Sequence, residues 1–334
     1  MQPVPGIVAA AVPLNLVTGF LGAGKTTAIR HLLEHKQPGE RWAVLVNEFG
    51  KVGIDQAVLG GEDIAIKEVP GGCLCCTNHL PLQVALSQLL SRAKPTRVII
   101  EPTGLGHPAR VLDALREPHW RAALDVRATL TLVDARELAD ARVLAHETFR
   151  AQIEAADVLV FSKADVLSEA DRERAREFAL GLVPPKAYAH FLSAGALPRE
   201  WLDLPARQQP LRRSLLHKPP VFSAAPAATD IEPPFHYSES LPEADIAGWV
   251  FPRDWIFVHD ALLTVLFGVQ QALRVKGVFH TEKGWIFFNA TRHETAINSE
   301  SSRSDSRLEV IMPTAQAPDW LELEAALLAT RQSA

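Results

Sequence analysis

The first two hundred residues alternate short apolar runs with longer segments that repeat hydrophobic positions every three to four residues. An apolar run of this length is typical of a buried strand, and the longer repeat is typical of a helix. The alternation predicts an α/β domain with a mostly parallel sheet, whose ligand-binding loops gather at the carboxyl ends of the strands. The predicted strands are Leu14–Thr18, Ala43–Val46, Ile64–Glu68, Arg97–Ile100, Ala128–Val133 and Val158–Phe161. The predicted helices are Thr26–His35, Leu80–Ser91, Pro108–Leu115, Arg150–Ala155 and Glu169–Leu180.

The pattern changes between about residues 218 and 242, where proline and alanine replace the regular repeats. Such a stretch indicates a linker. We therefore predict a domain at residues 1–210, a Pro/Ala-rich linker at 211–243 and a small α+β C-terminal domain at 244–334. The predicted strands of the C-terminal domain are Gly248–Phe251, Val275–His280, Trp285–Asn289 and Leu308–Ile311. Its predicted helices are Val258–Leu273 and Asp319–Leu328. The polar stretch Thr291–Ser306 is predicted to be a loop.

Residues 19–27 read GFLGAGKTT and fit the pattern G-x-x-x-x-G-K-[ST]. They stand between a predicted strand and a predicted helix, which is the context of the phosphate-binding loop of P-loop nucleoside triphosphatases. Glycines let successive backbone N–H groups point at phosphate oxygens, and the helix N-terminus adds partial positive charge. Lys25 is expected to contact the β- and γ-phosphates during catalysis, and the Thr26 hydroxyl to hold Mg²⁺. The predicted phosphate-binding residues are Gly19, Gly22, Ala23, Gly24, Lys25, Thr26 and Thr27.

Two further segments place acidic residues after predicted strands. Glu101 ends the strand of VIIEPTG, and this position suits a carboxylate that holds Mg²⁺ through water or orients the attacking water. Three residues on, Gly104 could donate its backbone N–H to the γ-phosphate. Glu48 and Asp55 lie in the segment NEFGKVGID, where a first switch loop would follow its strand. Either carboxylate could approach Mg²⁺ or a second metal.

The segment FSKAD at 161–165 follows another apolar strand and resembles the guanine-reading N-K-x-D loop of GTPases, with Ser162 in the position of the asparagine. The Asp165 carboxylate would accept from guanine N1–H and the exocyclic amine, and the stem of Lys163 would cover the base. Adenine presents the wrong pattern, and buried polar groups left unpaired cost about 1–3 kcal/mol each. The loop therefore predicts GTP rather than ATP. The serine weakens the match, because a hydroxyl replaces only one end of an amide.

All three cysteines of the chain, Cys73, Cys75 and Cys76, lie in the segment GGCLCCT. Clustered thiols without disulfide partners are typical of metal-binding or redox sites, and thiolates suit zinc and other borderline or soft metals. Three thiolates leave a four-ligand site incomplete, so Glu48, His79 or a water would supply the remaining ligand. An incomplete site suits an exchangeable ion better than a structural one. Small buried thiols or a redox pair are the alternatives.

The composition of the chain limits the kinds of molecule that we expect it to bind. The chain has 334 residues, a net charge of −5 and 47% hydrophobic residues, ordinary values for a globular protein. The acidic balance argues against a general nucleic-acid or anionic-membrane surface. The apolar N-terminus has no basic region, and no apolar run is long enough to span a bilayer. We therefore expect a cytoplasmic protein without nucleic-acid or membrane partners.

Taken together, the phosphate loop, NEFG, GGCLCC, EPTG and the guanine loop resemble the CobW-type metal-chaperone GTPases, relatives of HypB and UreG. The run Glu101–Pro108, with Val46–Asp55, is similar to a YeiR-like branch that is regarded as zinc-binding. The resemblance covers the whole chain, but its motifs are specific only in the first domain. It implies GTP hydrolysis with Mg²⁺, GTP and GDP as ligands, and Zn²⁺ or Co²⁺ carried at the C-x-C-C motif to a client metalloprotein. Because no arginine finger is identifiable from the sequence, we expect intrinsic turnover to be slow. Ser162 and Lys51 depart from the family pattern, and the chain has no histidine-rich tract.

Two other functions are compatible with the same motifs. A P-loop kinase that phosphorylates a small molecule would need an acceptor pocket and a lid, for which no residues are identifiable, and it would favour ATP. A zinc sensor would bind GTP without turnover. Phosphate release under saturating GTP separates the sensor from the GTPase.

Overall fold

The computed structural model of the chain describes residues 11–46, 64–68, 80–102, 104, 107–186, 188–207, 234–240, 244–300, 302–303, 305–314, 316 and 318–332. These residues fall into two compact units, the first ending at residue 207 and the second beginning at residue 234. The predicted boundaries at 210 and 243 lie outside the described residues, so the domain limits stay a prediction.

The first unit is built on a parallel sheet. Its strands are β1 (Val12–Gly19), β2 (Trp42–Val46), β3 (Ile64–Glu68), β4 (Arg97–Glu101), β5 (Leu124–Val126), β6 (Leu130–Asp134), β7 (Val158–Ser162) and β8 (Tyr188–Phe191). Within the described residues the order is β3-β2-β4-β1-β6-β7-β8, with β5 also beside β1. All of these pairs are parallel, so the carboxyl ends of β1, β4, β6 and β7 lie on one edge of the sheet. The predicted mostly parallel α/β fold is confirmed.

Helices connect these strands and pack on the sheet. They are α1 (Lys25–Glu34), α2 (Leu80–Ala93), α3 (Pro108–Leu115), α4 (Ala141–Ala145), α5 (Glu147–Ala155) and α6 (Glu169–Leu180). Every residue of β2, β4, β6 and β7 is buried, which explains why these strands read as continuous apolar runs. One core cluster joins the central strands to the apolar side of α1, including Ile29 and Leu32. The core thus fixes α1 directly behind the end of β1.

The second unit is an antiparallel sheet with two helices. Its strands are β9 (Phe235–Ser240), β10 (Ala244–Pro252), β11 (Arg274–Thr281), β12 (Gly284–Thr291), β13 (Thr295–Ser299) and β14 (Asp305–Pro313), and its helices are α7 (His259–Gly268) and α8 (Trp320–Ala329). The strand order is β13-β12-β11-β14-β10-β9. Alternate residues of β10, such as Trp249 and Phe251, pack with Leu266 and Leu327 of the helices. A small α+β unit of this kind was predicted.

Three details of the second unit differ from the sequence prediction. Residues 235–240, placed in the linker, form a strand that pairs with β10. The polar stretch Thr291–Ser306 contains β13, whose five residues are all exposed, so no hydrophobic pattern marks it. Helix α7 ends at Gly268 rather than Leu273, because the chain turns there and Gln271 adopts a φ of 62°.

None of the helices that the structure describes is both long enough and apolar enough to cross a membrane.

Candidate functional site

The phosphate loop connects the end of β1 to the first turn of α1, and two of its glycines take left-handed backbone angles. Gly22 has a φ of 73° and Gly24 a φ of 85°, values that glycine adopts without steric cost. Gly19 is required for a different reason, because a Cβ there would lie 2.3 Å from the Leu132 carbonyl oxygen of β6. The sequence therefore uses glycine where the loop turns and where it passes β6.

Lys25 is the first residue of α1, and its ammonium group points back over the loop. Its Nζ donates to the Gly19 carbonyl oxygen at 3.0 Å and to the Phe20 carbonyl oxygen at 3.3 Å. The side chain is only 7% exposed, so the charge is held inside the loop. That Lys25 contacts phosphate stays a prediction.

Thr26 of the phosphate-loop motif and Glu101 at the end of β4 are neighbours in the fold. The Thr26 hydroxyl donates to Glu101 Oε1 at 2.9 Å, although the two residues lie 75 positions apart. Glu101 ends β4, beside β1, and is 3% exposed. A hydroxyl and a carboxylate side by side next to a phosphate loop are the hard oxygen donors that Mg²⁺ prefers. Two of the three residues predicted to hold Mg²⁺ are therefore in contact.

Gly104 lies against the phosphate loop. A Cβ on Gly104 would lie 3.0 Å from both the backbone nitrogen and the Cα of Leu21, so only glycine allows this approach. The Gly104 carbonyl accepts from Gln152 Nε2 of α5 at 3.0 Å. The structure thus brings the predicted switch glycine to the loop and ties it to α5.

The predicted guanine loop follows β7, two strands away from β1 in the sheet. Ser162 is buried and Asp165 is exposed, so the carboxylate is accessible to a base. Lys163 takes a left-handed conformation with a φ of 56°. Ala164 and Val166 begin and end a short 3-10 turn that presents Asp165. That Ser162, Lys163 and Asp165 read guanine stays a prediction.

Asp134, at the end of β6, is a site residue that the sequence analysis missed. Its carboxylate accepts from Arg136 Nε at 2.9 Å and Nη2 at 2.6 Å, and lies 3.3 Å from Lys163 Nζ. Burial by itself would raise the pKa of Asp134, but the hydrogen bonds from Arg136 and the charges of Lys163 and Arg136 hold it below its ordinary value. The ionised Asp134 therefore anchors the lysine that was predicted to cover the base. An acidic residue after the predicted strand Ala128–Val133 was the available signal.

A second missed segment is the loop after β8, with the sequence SAG at 193–195. The Ala194 N–H donates to Asp165 Oδ1 at 3.3 Å. Gly195 has a φ of 73°, and a Cβ there would lie 2.9 Å from Thr27 Cγ2 and 3.1 Å from the Thr27 carbonyl oxygen. One short loop thus contacts both the guanine loop and the first turn of α1. Small residues after a strand were its only mark in the sequence.

A family model described as the CobW/HypB/UreG nucleotide-binding domain matches residues 13–188 of the chain, which include the phosphate loop, Glu101 and Asp165. This chain belongs to the CobW/HypB/UreG family.

Several proteins that are similar in sequence to this chain carry names that state a function. The chain is 39% identical over 324 residues to the zinc chaperone YeiR of Escherichia coli K12, covering 95% of this chain and 97% of that protein. It is 30% identical over 169 residues to the zinc-regulated GTPase metalloprotein activator 1 of Schizosaccharomyces pombe, covering 47% of this chain and 40% of that one. A crystal structure of the Zn(II)-bound YjiA GTPase of E. coli aligns with 96% of this chain and 99% of its own, at 21% identity and a TM-score of 0.41.

The predicted transition-metal ligands of this CobW/HypB/UreG chain are Cys73, Cys75, Cys76 and Glu48, and the further Mg²⁺ carboxylate is Asp55. All five lie outside the described residues. Among the residues that are described, no group of three or more His, Cys, Asp or Glu side chains could hold a metal ion. The transition-metal site therefore stays a prediction from the sequence.

Proposed function

We propose that this chain is a metallochaperone that binds and hydrolyses GTP and uses the nucleotide to control the holding and release of zinc or a similar divalent metal. The observation that carries the proposal is the meeting of Lys25, Thr26 and Glu101 at one sheet edge, with Asp165 on the same edge. Family membership and the identity of 39% with a zinc chaperone along almost the whole chain support the same function.

In this function Lys25 provides the charge that meets the β- and γ-phosphates. Two of its partners are carbonyl oxygens of the loop itself, which are neutral acceptors. A charged phosphate oxygen is a stronger acceptor, because hydrogen bonds between ionised groups are about twice as strong as neutral ones. Nucleotide would therefore compete well for an ammonium group that is already aimed into the loop.

The residues present fit Mg²⁺, and when bound the ion would neutralise charge on the phosphates. Thr26 would hold it through its hydroxyl, and Glu101 would hold it through water or orient the attacking water. Glu101 is buried between the central strands, so its carboxylate is fixed before nucleotide arrives. Gly104 would offer its N–H to the γ-phosphate from its position beside Leu21.

Base choice in the proposal rests on Asp165, which would accept from guanine N1–H and the exocyclic amine. Lys163 would lie over the base, oriented by Asp134. The Ala194 N–H, at 3.3 Å from Asp165 Oδ1, would hold the carboxylate in place for the base. Adenine lacks these two donors and would leave the Asp165 carboxylate without a partner on the base.

The metal in this proposal is cargo rather than a resident cofactor. Cys73, Cys75 and Cys76 would bind it as thiolates, with Glu48, His79 or water completing the site, and a client metalloprotein would receive it in the cytoplasm. Thiolates must lose their protons before they bind zinc, so affinity should fall as pH drops. The relatives' names support zinc as the cargo.

Phosphate release under saturating Mg²⁺ and GTP tests the catalytic half of the proposal. The intrinsic rate should be about 10⁻⁴–10⁻² per second, as in GTPases without an arginine finger. Lys25→Ala should abolish turnover and leave the fold intact. Arg30→Ala is the matched control, because Arg30 is an exposed cation on the same helix whose partner Glu34 is 3.8 Å away, and it should turn over normally.

Three results would contradict the proposal. Normal hydrolysis by Lys25→Ala would move the active site elsewhere. Tight GTP binding without phosphate release by the wild type would make the chain a sensor. Equal affinity for ATP and GTP would remove Asp165 as the reader of the base.

A further inference from the structure

The first unit has a cleft at the opposite end of the sheet from the nucleotide loops. It lies where β7 and β8 begin, beside residues Ala156, Asp157 and Lys186. The phosphate and guanine loops follow the carboxyl ends of the strands and do not line the cleft, although Phe149, which lines it, also packs against Phe20 of the phosphate loop. Its volume is about 760 Å³. Sites for small molecules are typically clefts of about 300–1,000 Å³.

The inner surface of the cleft is apolar. Leu112 of α3 and Phe149 and Ile153 of α5 line it and are each almost fully buried. Phe178 of α6 packs beside Phe149, with ring centroids 6.2 Å apart. Val183 stands at the opening with 94% of its surface exposed. The helices therefore leave an apolar depression that a ligand with an apolar body would fill.

Four cations and two carboxylates line the same cleft. Arg116, which follows α3, is half-buried, and its guanidinium makes no hydrogen bond or ion pair with any residue that the structure describes. Lys186 Nζ donates to the Glu154 carbonyl oxygen at 2.8 Å, and Arg207 Nη1 to the Pro185 carbonyl oxygen at 2.6 Å. These cations thus have neutral partners or none, and retain free donors for an anion.

The one buried carboxylate of the cleft is already used by the backbone. Asp157 Oδ2 accepts from the Thr129 N–H at 2.8 Å, and Oδ1 accepts from the Arg207 N–H at 3.0 Å. It is therefore not free to pair with Arg116. Burial, and then the nearby charge of Arg207, lower the pKa of Lys186 more than Asp157 and Glu154 raise it. With four cations and two carboxylates around the cleft, an anionic ligand would offset the excess of positive charge.

We propose that this cleft binds a small organic anion, made of an apolar body that lies against Phe178 and Val183 and an acidic head that pairs with Arg116 and Lys186. Such a site would exist whether or not the chain hydrolyses GTP. The same chemistry is offered by a free organic acid and by an acidic, apolar segment of a partner protein, and the free acid is favoured because the cleft has the size of a small-molecule site.

The test uses the dye 8-anilinonaphthalene-1-sulfonate, an apolar anion that fluoresces when bound out of water, titrated into the full-length protein. Arg116→Gln and Lys186→Gln should each weaken dye binding at least about tenfold, the loss of one charge-assisted contact. Arg92→Gln is the matched control, since Arg92 is exposed on α2 away from the cleft, and should bind the dye as the wild type does. Saturating GDP should leave the dye bound.

Displacement of the dye distinguishes the source of the anion. Octanoate should displace it, whereas octanol, which has the apolar body without the charge, should not. If only a capped acidic peptide such as acetyl-Asp-Leu-Phe-Asp-amide displaced the dye, the cleft would be a protein-docking surface and the proposal would be wrong. Unchanged dye affinity in both Gln variants, or complete displacement by GDP, would place the dye elsewhere and also overturn it. Circular dichroism of each variant checks that it has folded.

Discussion

Ser162 stands at the end of β7, where the guanine loop begins, and its side chain is buried. Its Oγ has no hydrogen-bond partner among the residues that the structure describes. A buried polar atom of this kind costs free energy unless a ligand satisfies it. We therefore predict that bound nucleotide satisfies this hydroxyl.

Replacing Ser162 with alanine separates these two roles. Because the hydroxyl has no described protein partner, Ser162→Ala should change the free energy of unfolding by less than about 0.5 kcal/mol, or stabilise slightly. GTP should bind about five- to tenfold more weakly, the value of one lost hydrogen bond. Urea unfolding and a calorimetric GTP titration measure both quantities. A variant that is destabilised but binds GTP normally would show that the hydroxyl is structural.

Asp134 gives a prediction about pH. Since its pKa in the folded protein is lowered, its contribution to stability is present above the unfolded pKa of about 3.9 and is lost as pH falls below that value. Asp134→Asn should lower the free energy of unfolding by about 2 kcal/mol at pH 7, the value of hydrogen bonds to a charged group. The difference from wild type should shrink below about pH 4. GTP binding should also weaken, because Lys163 loses its anchor.

The control for Asp134 is Asp140, which repeats the same local arrangement at the surface. Its carboxylate accepts from the backbone N–H, Nε and Nη2 of Arg142. The Arg142 side chain is 72% exposed, so water competes for this pair. Asp140→Asn should therefore cost less stability and leave GTP affinity unchanged. Equal stability losses in the two variants, with unchanged GTP affinity in both, would contradict the role given to Asp134.

At the scale of elements, the loop after β8 holds two parts of the site together. It contacts Asp165 through Ala194 and Thr27 through Gly195. Helix α5 also contacts two parts of the site. Gln152 donates to the Gly104 carbonyl oxygen, and Phe149 packs edge to face against Phe20 of the phosphate loop, with ring centroids 6.1 Å apart. The nucleotide site is therefore fixed by elements that are distant from the phosphate loop in sequence.

Gly195→Ala tests the loop after β8. The new Cβ would meet the backbone of Thr27 at a left-handed residue, so the loop must move and stability should fall by about 1–2 kcal/mol. GTP affinity should fall as well, since both Thr27 and Asp165 shift. Gly181→Ala is the control, because Gly181 has a φ of −76° and a Cβ there would make ordinary contacts. If both alanine variants bound GTP equally well, the loop would have no part in the site.

The regular elements of the first unit were largely predictable, because strands buried on both faces leave continuous apolar runs. The strand Ile64–Glu68 and the helices Pro108–Leu115 and Glu169–Leu180 have the predicted bounds. Elements without such a run were missed. Leu124–Val126 has only three residues, and Tyr188–Phe191 has only four and follows shortly after Pro184 and Pro185. The hydrophobic pattern therefore identifies elements with buried faces, but it does not identify short strands or strands at the edge of the sheet.

At the scale of the whole molecule, the site was predictable where its parts are contiguous in sequence. Lys25 and Thr26 belong to one motif, and Glu101 and Gly104 to another, so spacing alone identified them. Their contacts with one another, and the contributions of Asp134 and the loop after β8, depend on the order of strands in the sheet. That order brings β1, β4, β6 and β7 together, and no local pattern states it.

A GTP-controlled metallochaperone differs from a protein that binds GTP and metal independently, because in the chaperone GTP binding changes the affinity for the metal. If switch residues help to form the metal site, GTP must tighten metal binding, and metal must tighten GTP binding by the same factor. A tenfold change corresponds to about 1.4 kcal/mol. Replacing Cys75 and Cys76 with serine gives the control, since that variant should keep GTP binding and lose the metal.

The most direct measurement is the affinity for Zn²⁺, obtained by competition with a chromophoric chelator, in the presence of Mg²⁺ with either a non-hydrolysable GTP analogue or GDP. We expect Zn²⁺ to bind the GTP-analogue form at least about tenfold more tightly than the GDP form, and the double serine variant to bind it in neither. Equal Zn²⁺ affinity in the two nucleotide states, or wild-type affinity in the double serine variant, would contradict a GTP-controlled metallochaperone that carries zinc on these cysteines.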